Sequence, residues 1–287
     1  MITALKVEIA DKGKGIFKII NSLKKDKISV EFFKARGVCL KQITYKSYKN
    51  RINIKNLDDV TGYNKNRLLC SEKLKFPTNS GYKRFYTPYL SARLCTNMAL
   101  EIIKNSENNK NLKIGFYDIN GDFSKLMFMI LQHTSNLFVV TNNNDIYDAE
   151  LEYAMNEIGA TAIVTKQKSE LLNCNLVIAP MQITEPLPIK SDAILLTNQM
   201  PLTPQSGLTY YKYQIHMPNG FAKIKPSELD EEYFCSALYV LEKQHELGTI
   251  IPISCSNSSS SQTVKSICDY LVKSDVTPPT VRVDSLI

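Results

Sequence analysis

No run of about 18 uncharged apolar residues occurs anywhere in the 287 residues, which excludes a membrane-spanning helix read from hydropathy. The opening MITALKVEIADKGKGIF also lacks the continuous apolar stretch of a signal peptide, so the expected location is the cytoplasm. Seven cysteines, at positions 39, 70, 95, 174, 235, 255 and 268, include no CxxC pair. That excludes a zinc ribbon and a thioredoxin-type dithiol. His133, His216 and His245 are far apart, with no partner at ligand spacing. GxSxG and HExxH are absent, and no nucleophile stands near a base in the sequence. The reading therefore names no catalytic residue and no metal ligand.

What the chain has is an ordinary globular composition, 44% apolar and 22% charged, with charge unevenly placed. Residues 1–111 carry 23 Lys and Arg against 9 Asp and Glu, a balance of +14. The remaining residues carry 12 against 19, a balance of −7. The polar stretch NSENNKN, Asn105 to Asn111, sits at the crossover and reads as an exposed loop. The expected division is a basic α+β domain with a connecting helix at 1–111, followed by a second domain at 112–287.

The first part reads as a strand TALKVEI, a helical GIFKIINSLKK, a strand KISVEFF and a further strand in GVCLKQITYKSY. The Asp11–Gly15 turn DKGKG lacks the spacing of a phosphate loop and reads as a plain turn. Between Asn64 and Arg93, Lys65, Arg67, Lys73, Lys75, Lys83, Arg84 and Arg93 are interleaved with Tyr82, Phe85, Tyr86 and Tyr89. Basic and aromatic residues together can hold phosphates and stack on bases, so nucleic acid is a partner class. No known nucleic-acid motif accompanies them, and solvated lysines or attraction between the oppositely charged halves also account for the charge. A helix is expected from Pro88 to Asn105, with Thr87 as its N-cap and Pro88 at the first position.

From Leu112 the pattern changes to short aliphatic strands alternating with helices: LKIGFYD, then the turn INGDFS, a helix in KLMFMILQHTS, and a strand NLFVVT. A helix follows in NNNDIYDAELEYAMNEIGA, with Asp145 as candidate N-cap and Gly159 as C-terminal cap. TAIVT, NLVIAP and DAILLTN supply more strands, YYKYQIHMP a sixth, and Glu228 to Glu246 a helix covering the sheet. Such alternation means a parallel sheet with right-handed crossovers, the first strand central and flanked by NLFVVT and NLVIAP.

Residues 112–200 resemble a Rossmann-type dinucleotide-binding domain, through IGFYDINGDFSKLMFMIL, LFVVTNN, the helix ending at Gly159, TAIVT and NLVIAP. The order and spacing are similar to the cofactor domains of shikimate-dehydrogenase-like and glutamyl-tRNA-reductase-like proteins. The resemblance implies an α/β fold, a doubly wound parallel sheet with a smaller N-terminal α+β domain. It also implies a pyrophosphate site at the first strand-to-helix turn and a ribose site after the second strand. The residues at those places are Asn120, Gly121, Asp122 and Ser124, and then Thr141 and Asn142.

The residues themselves depart from that pattern. With Gly121 set on the second glycine of G-x-G-x-x-G, Ile119 and Ser124 stand at the other two positions. Asp118 and Asp122 put negative charge beside a bound pyrophosphate, where each pair at 4 to 6 Å costs about 3 to 4 kcal/mol at an effective dielectric near 20. Lys125 is the nearest counter-charge in sequence, and Thr141–Asn144 hold no carboxylate for a ribose diol. Read this way, Gly121 serves the turn, Asp122 caps the helix and no cofactor is expected. The chain is then a non-catalytic binding, regulatory or scaffold module. The alternatives are an NAD(P)-dependent oxidoreductase holding NAD or NADP at the Gly121 turn, and a nucleic-acid-associated protein acting through its basic part.

Overall fold

A computed structural model describes residues 1–10, 24–48, 51–106 and 111–274. The DKGKG turn, most of the helical reading of GIFKIINSLKK and the middle of NSENNKN lie outside the described residues.

The chain opens with β1 (Ile2–Ile9), β2 (Lys27–Ala35) and β3 (Val38–Ser47). β2 and β3 form an antiparallel hairpin closed by Arg36 and Gly37, at φ 48° and 78°. Positive φ at both turn residues matches the twist of the flanking strands. Arg36 tolerates it with its guanidinium 4.9 Å from the Phe221 ring and paired with Glu246 at 3.5 Å. The short helix α1 (Ile54–Thr61), capped by the Asn53 side chain, leads to β4 (Leu68–Cys70). The sheet order is β2-β3-β1-β4, with β1 parallel to both β3 and β4. Leu5, Ile43, Tyr45, Leu57, Leu68, Cys70 and Tyr82 form its buried core.

Helix α2 runs Tyr89–Asn105 with Pro88 in the capping position, one residue later than the sequence pattern indicates. The Rossmann-like layer then follows: β5 (Ile114–Tyr117), α3 (Lys125–Leu131), β6 (Leu137–Val140), α4 (Asn144–Ile158), β7 (Ile163–Thr165), β8 (Leu176–Ala179), β9 (Ile194–Thr197) and β10 (Leu208–Tyr210). All pairings are parallel and the order is β10-β9-β8-β5-β6-β7. The first strand is central and flanked by β6 and β8. This is the doubly wound arrangement, with the topological reversal beside β5.

Local chemistry sets the element ends. Gly159 closes α4 at φ 64° in the left-handed conformation, as its sequence position implies. Asn143 occupies the N-cap position of α4, and Asp145 lies in the first turn, where its charge meets the helix dipole. Gly115 keeps β5 slim: a Cβ there would lie 2.7 Å from Leu171 Cδ2 and 3.1 Å from Cys174 Sγ.

The stretch YYKYQIHMP divides between two sheets. Leu208–Tyr210 completes the parallel sheet, while β11 (Lys212–Gln214) pairs with β12 (Ser254–Ser256) and β13 (Ser261–Thr263). The serine-rich SNSSSS is the β12–β13 turn, where Asn257 Oδ1 accepts from the N–H groups of Ser259 and Ser260. The remaining helices are α5 (Glu231–Leu241) and α6 (Val264–Ser274).

Packing divides the chain differently from charge. One compact unit is Met1–Thr87 with Met217–Leu247; the other is Pro88–His216 with Gly248–Ile287. Helix α2 belongs to the second because its buried stripe from Leu90 to Ile103 packs beside α3, α6, β8 and β9. Helix α5 lies in the first unit: Tyr233 donates its hydroxyl to Phe85 O and carries the Arg84 guanidinium 3.8 Å from its ring. The sequence pattern assigns this helix to the parallel sheet; packing places it in the unit of β1 instead.

Candidate functional site: a phosphate turn closed by Asp118

The turn after β5 sits at the carboxyl edge of the central strand, where doubly wound folds bind ligands. Gly121 adopts φ 78°, and a Cβ on it would stand 3.2 Å from Ile146 Cδ1. Only glycine meets both conditions without strain. In a dinucleotide site, backbone N–H groups of such a turn and the following helix point outward at the pyrophosphate.

Here four successive N–H groups are spent internally. Gly121 N–H donates to Asp118 O at 3.3 Å, and Ser124 N–H to Gly121 O at 3.4 Å. Between them, Asp122 N–H donates to Asp118 Oδ1 at 3.2 Å and Phe123 N–H to Asp118 Oδ2 at 2.8 Å. Asp118 is only 3% exposed, and its Oδ2 also accepts the Tyr147 hydroxyl at 2.7 Å from α4. The carboxylate thus takes donors that a pyrophosphate would need.

Burial pushes the Asp118 carboxyl above its ordinary value, against the pull of the Tyr147 and Phe123 hydrogen bonds. Burial, then the charge and hydrogen bond of Asp118, pushes the Tyr147 hydroxyl up as well. Asp122, expected to cap α3, does not: its carboxylate is exposed and accepts from Asn120 Nδ2 at 3.4 Å. Asp118, directly after β5, holds the turn that precedes α3, whose N-cap residue Ser124 makes no side-chain capping bond.

The ribose-side residues close over the same turn. Asn142 N–H donates to Ile119 O at 3.0 Å, Thr141 Oγ1 to the same carbonyl at 3.3 Å, and Asn143 Nδ2 to Asn120 O at 3.3 Å. Asn120, Gly121, Asp122, Ser124, Thr141 and Asn142 are therefore gathered at one place, but their backbone groups are largely committed to one another. The cation beside the turn is Arg93, its guanidinium 5.5 Å from the Phe123 ring. The sequence reading points instead to Lys125, which is exposed. Tyr147 and Arg93 lie about 30 residues from the turn in opposite directions, so no local spacing reveals them.

The thiols are placed against nucleophilic chemistry. Burial pushes Cys95, Cys174, Cys235 and Cys255 up to about 12 and Cys70 to about 11. Cys268 is half-buried, its Sγ 3.3 Å from Ser106 Oγ. Among the described residues, no three His, Cys, Asp or Glu side chains gather as a metal site, and no helix is long and apolar enough to cross a membrane.

Fold and turn together define a Rossmann-like α/β protein whose first strand-to-helix turn is folded onto the Asp118 carboxylate. No family model and no curated protein matches the chain. Among solved structures it is similar to the L-tryptophan dehydrogenase of Nostoc punctiforme, at 10% identity and a TM-score of 0.32, over 94% of this chain and 81% of that one. A likeness of that size assigns no residue a role.

Proposed function

We propose that this chain is a non-catalytic binding, regulatory or scaffold module that keeps the Rossmann-like sheet without a dinucleotide at its first turn. The observation that carries this reading is the Asp118 carboxylate on the N–H groups of Asp122 and Phe123. A pyrophosphate placed there would meet a buried anion at close range, with the N–H groups of residues 121–124 already committed within the turn. The residues as folded do not fit NAD or NADP. Seven free thiols, five of them buried, suit a reducing compartment and support a cytoplasmic location.

Calorimetric titration of the full chain with NAD, NADP, FAD, ATP and S-adenosylmethionine tests the reading. No saturable heat at sub-millimolar concentrations is expected. A micromolar dissociation constant for NAD or NADP would establish the alternative, an NAD(P)-dependent oxidoreductase of the kind the shikimate-dehydrogenase-like pattern suggests. The classic strand order and the positive φ of Gly121 are the observations on that side. It would require Asp118 to leave the turn.

A further inference from the structure

The first unit carries a second feature, separate from the Gly121 turn. The residues after α1 form a cleft of about 410 Å³ lined by Gly62, Tyr63, Lys65, Asn66 and Gly81. Tyr63 is 102% exposed, so both faces of its ring are in water. A fully solvated tyrosine is unusual for a residue that normally buries its ring, and it offers an unoccupied stacking surface.

The platform beneath is fixed by hydrogen bonds. Lys83 N–H donates to Lys65 O at 2.9 Å, Leu68 N–H to Lys83 O at 3.2 Å, and Arg67 N–H to Asn64 O at 3.0 Å. Asn64 Nδ2 reaches Thr3 Oγ1 on β1 at 3.1 Å, and the buried Tyr82 hydroxyl meets Thr61 Oγ1 at 2.7 Å. Tyr63, Lys65 and Lys83 are therefore held on two adjoining segments that cannot drift apart.

Charge selects the ligand. From Gly62 to Thr87 there are six basic residues and one acid, Glu72. Arg84 is committed to the Tyr233 ring and to Cys70 O, while Lys65, Arg67, Lys73, Lys75 and Lys83 are exposed. Lys65 also faces Asp58 at 3.9 Å; both side chains are nearly half exposed, and such a pair holds a lysine weakly. An exposed ring, an adjacent amide in Asn66 and a row of cations are the elements that bind a base attached to a phosphate backbone.

We infer that the Tyr63–Lys65 cleft binds single-stranded nucleic acid, with one base stacked on Tyr63 and the backbone phosphates on Lys65, Arg67 and Lys83. The shared chemistry, a base joined to phosphate, also occurs in mononucleotides. A strand is favoured because five exposed cations lie between residues 65 and 83, more than the phosphate of one mononucleotide engages.

The test is fluorescence anisotropy of the full chain with labelled dT20 and U20. Three phosphate contacts on a single strand give a salt slope of about −2, so binding should weaken roughly twenty-fold between 50 and 200 mM salt. Tyr63→Ala should weaken binding about ten-fold with the slope unchanged, and Tyr63→Phe should restore it. Lys65→Ala should make the slope shallower by about 0.7. With Tyr63 fully exposed, circular dichroism and melting of the Tyr63 variants should match the parent.

The inference is overturned by an absence of salt-sensitive binding, or by Tyr63→Ala binding as the parent does. It is also overturned if polyglutamate competes as well as dT20, which would mark a generic polyanion surface. UMP binding as tightly as U20 would replace the strand by a mononucleotide. None of these outcomes depends on whether the Gly121 turn binds a dinucleotide.

Discussion

Replacing Asp118 by Asn keeps the side-chain volume and removes the charge that closes the turn. Asp118 accepts three hydrogen bonds, from Asp122 N–H, Phe123 N–H and the Tyr147 hydroxyl. An asparagine oxygen at the Oδ2 position can keep Phe123 and Tyr147, but its NH2 then faces Asp122 N–H, donor against donor. Losing that bond costs about 1 to 2 kcal/mol, and changing two charge-assisted bonds to neutral ones costs about 1 kcal/mol each. Relief from burying the charge offsets those last two losses, because burial outweighs the hydrogen bonds and holds the carboxyl above its ordinary value. The net expectation is a loss of about 1 to 2 kcal/mol at neutral pH, set by the Asp122 bond.

The pH dependence carries a definite sign. Burial holds the Asp118 carboxyl above its ordinary value of 3.8. The folded state therefore binds more proton than the unfolded state between 3.8 and that raised value. Stability contributed by Asp118 is fully present below 3.8 and is lost as pH rises through the folded pKa. The penalty of the Asn variant should thus shrink as pH rises across that interval and then level off. Urea titration read by tyrosine fluorescence suits the chain, which has 15 tyrosines and no tryptophan. An Asn variant as stable as the parent, with the same pH slope, would refute the assignment of Asp118 as the anion that closes the turn.

Three further outcomes follow from local geometry. Gly159→Ala, placing a Cβ on the left-handed cap of α4, should cost about 1 kcal/mol in thermal or chemical unfolding. Gly207→Ala should cost more, roughly 1 to 3 kcal/mol, since its Cβ would lie 2.6 Å from Ala193 O, a backbone atom that cannot rotate away. Thiol titration of the native protein at pH 8 should label Cys39 and Cys268 first, because the other five are buried; all seven should react after unfolding.

Alternation of short aliphatic strands with helices was enough to predict the parallel sheet, its central strand and the cap at Gly159. These rest on periodicity and on backbone conformations that only certain residues tolerate, and both are local properties of the chain. Gly121 at a positive φ in the turn after β5 follows for the same reason. The turn's loss of two glycines was also visible. What it does instead was not, because Asp118 acts with Tyr147, 29 residues later, and neither spacing nor composition marks that pair.

The domain division shows the same limit. Charge changes sign near residue 111, but charge is a surface property and does not decide which apolar faces meet. Packing assigned α2 to the parallel sheet's unit and returned Met217–Leu247, with α5, to the unit of β1. It likewise split YYKYQIHMP between two sheets, since a strand's pattern fixes which faces are apolar but leaves open the neighbour that supplies its hydrogen bonds. The sequence by itself determined the alternating elements from β5 to β9 and their order; the partners of Asp118, the exposure of Tyr63 and the membership of the two units were decided by long-range contacts formed only in the folded chain.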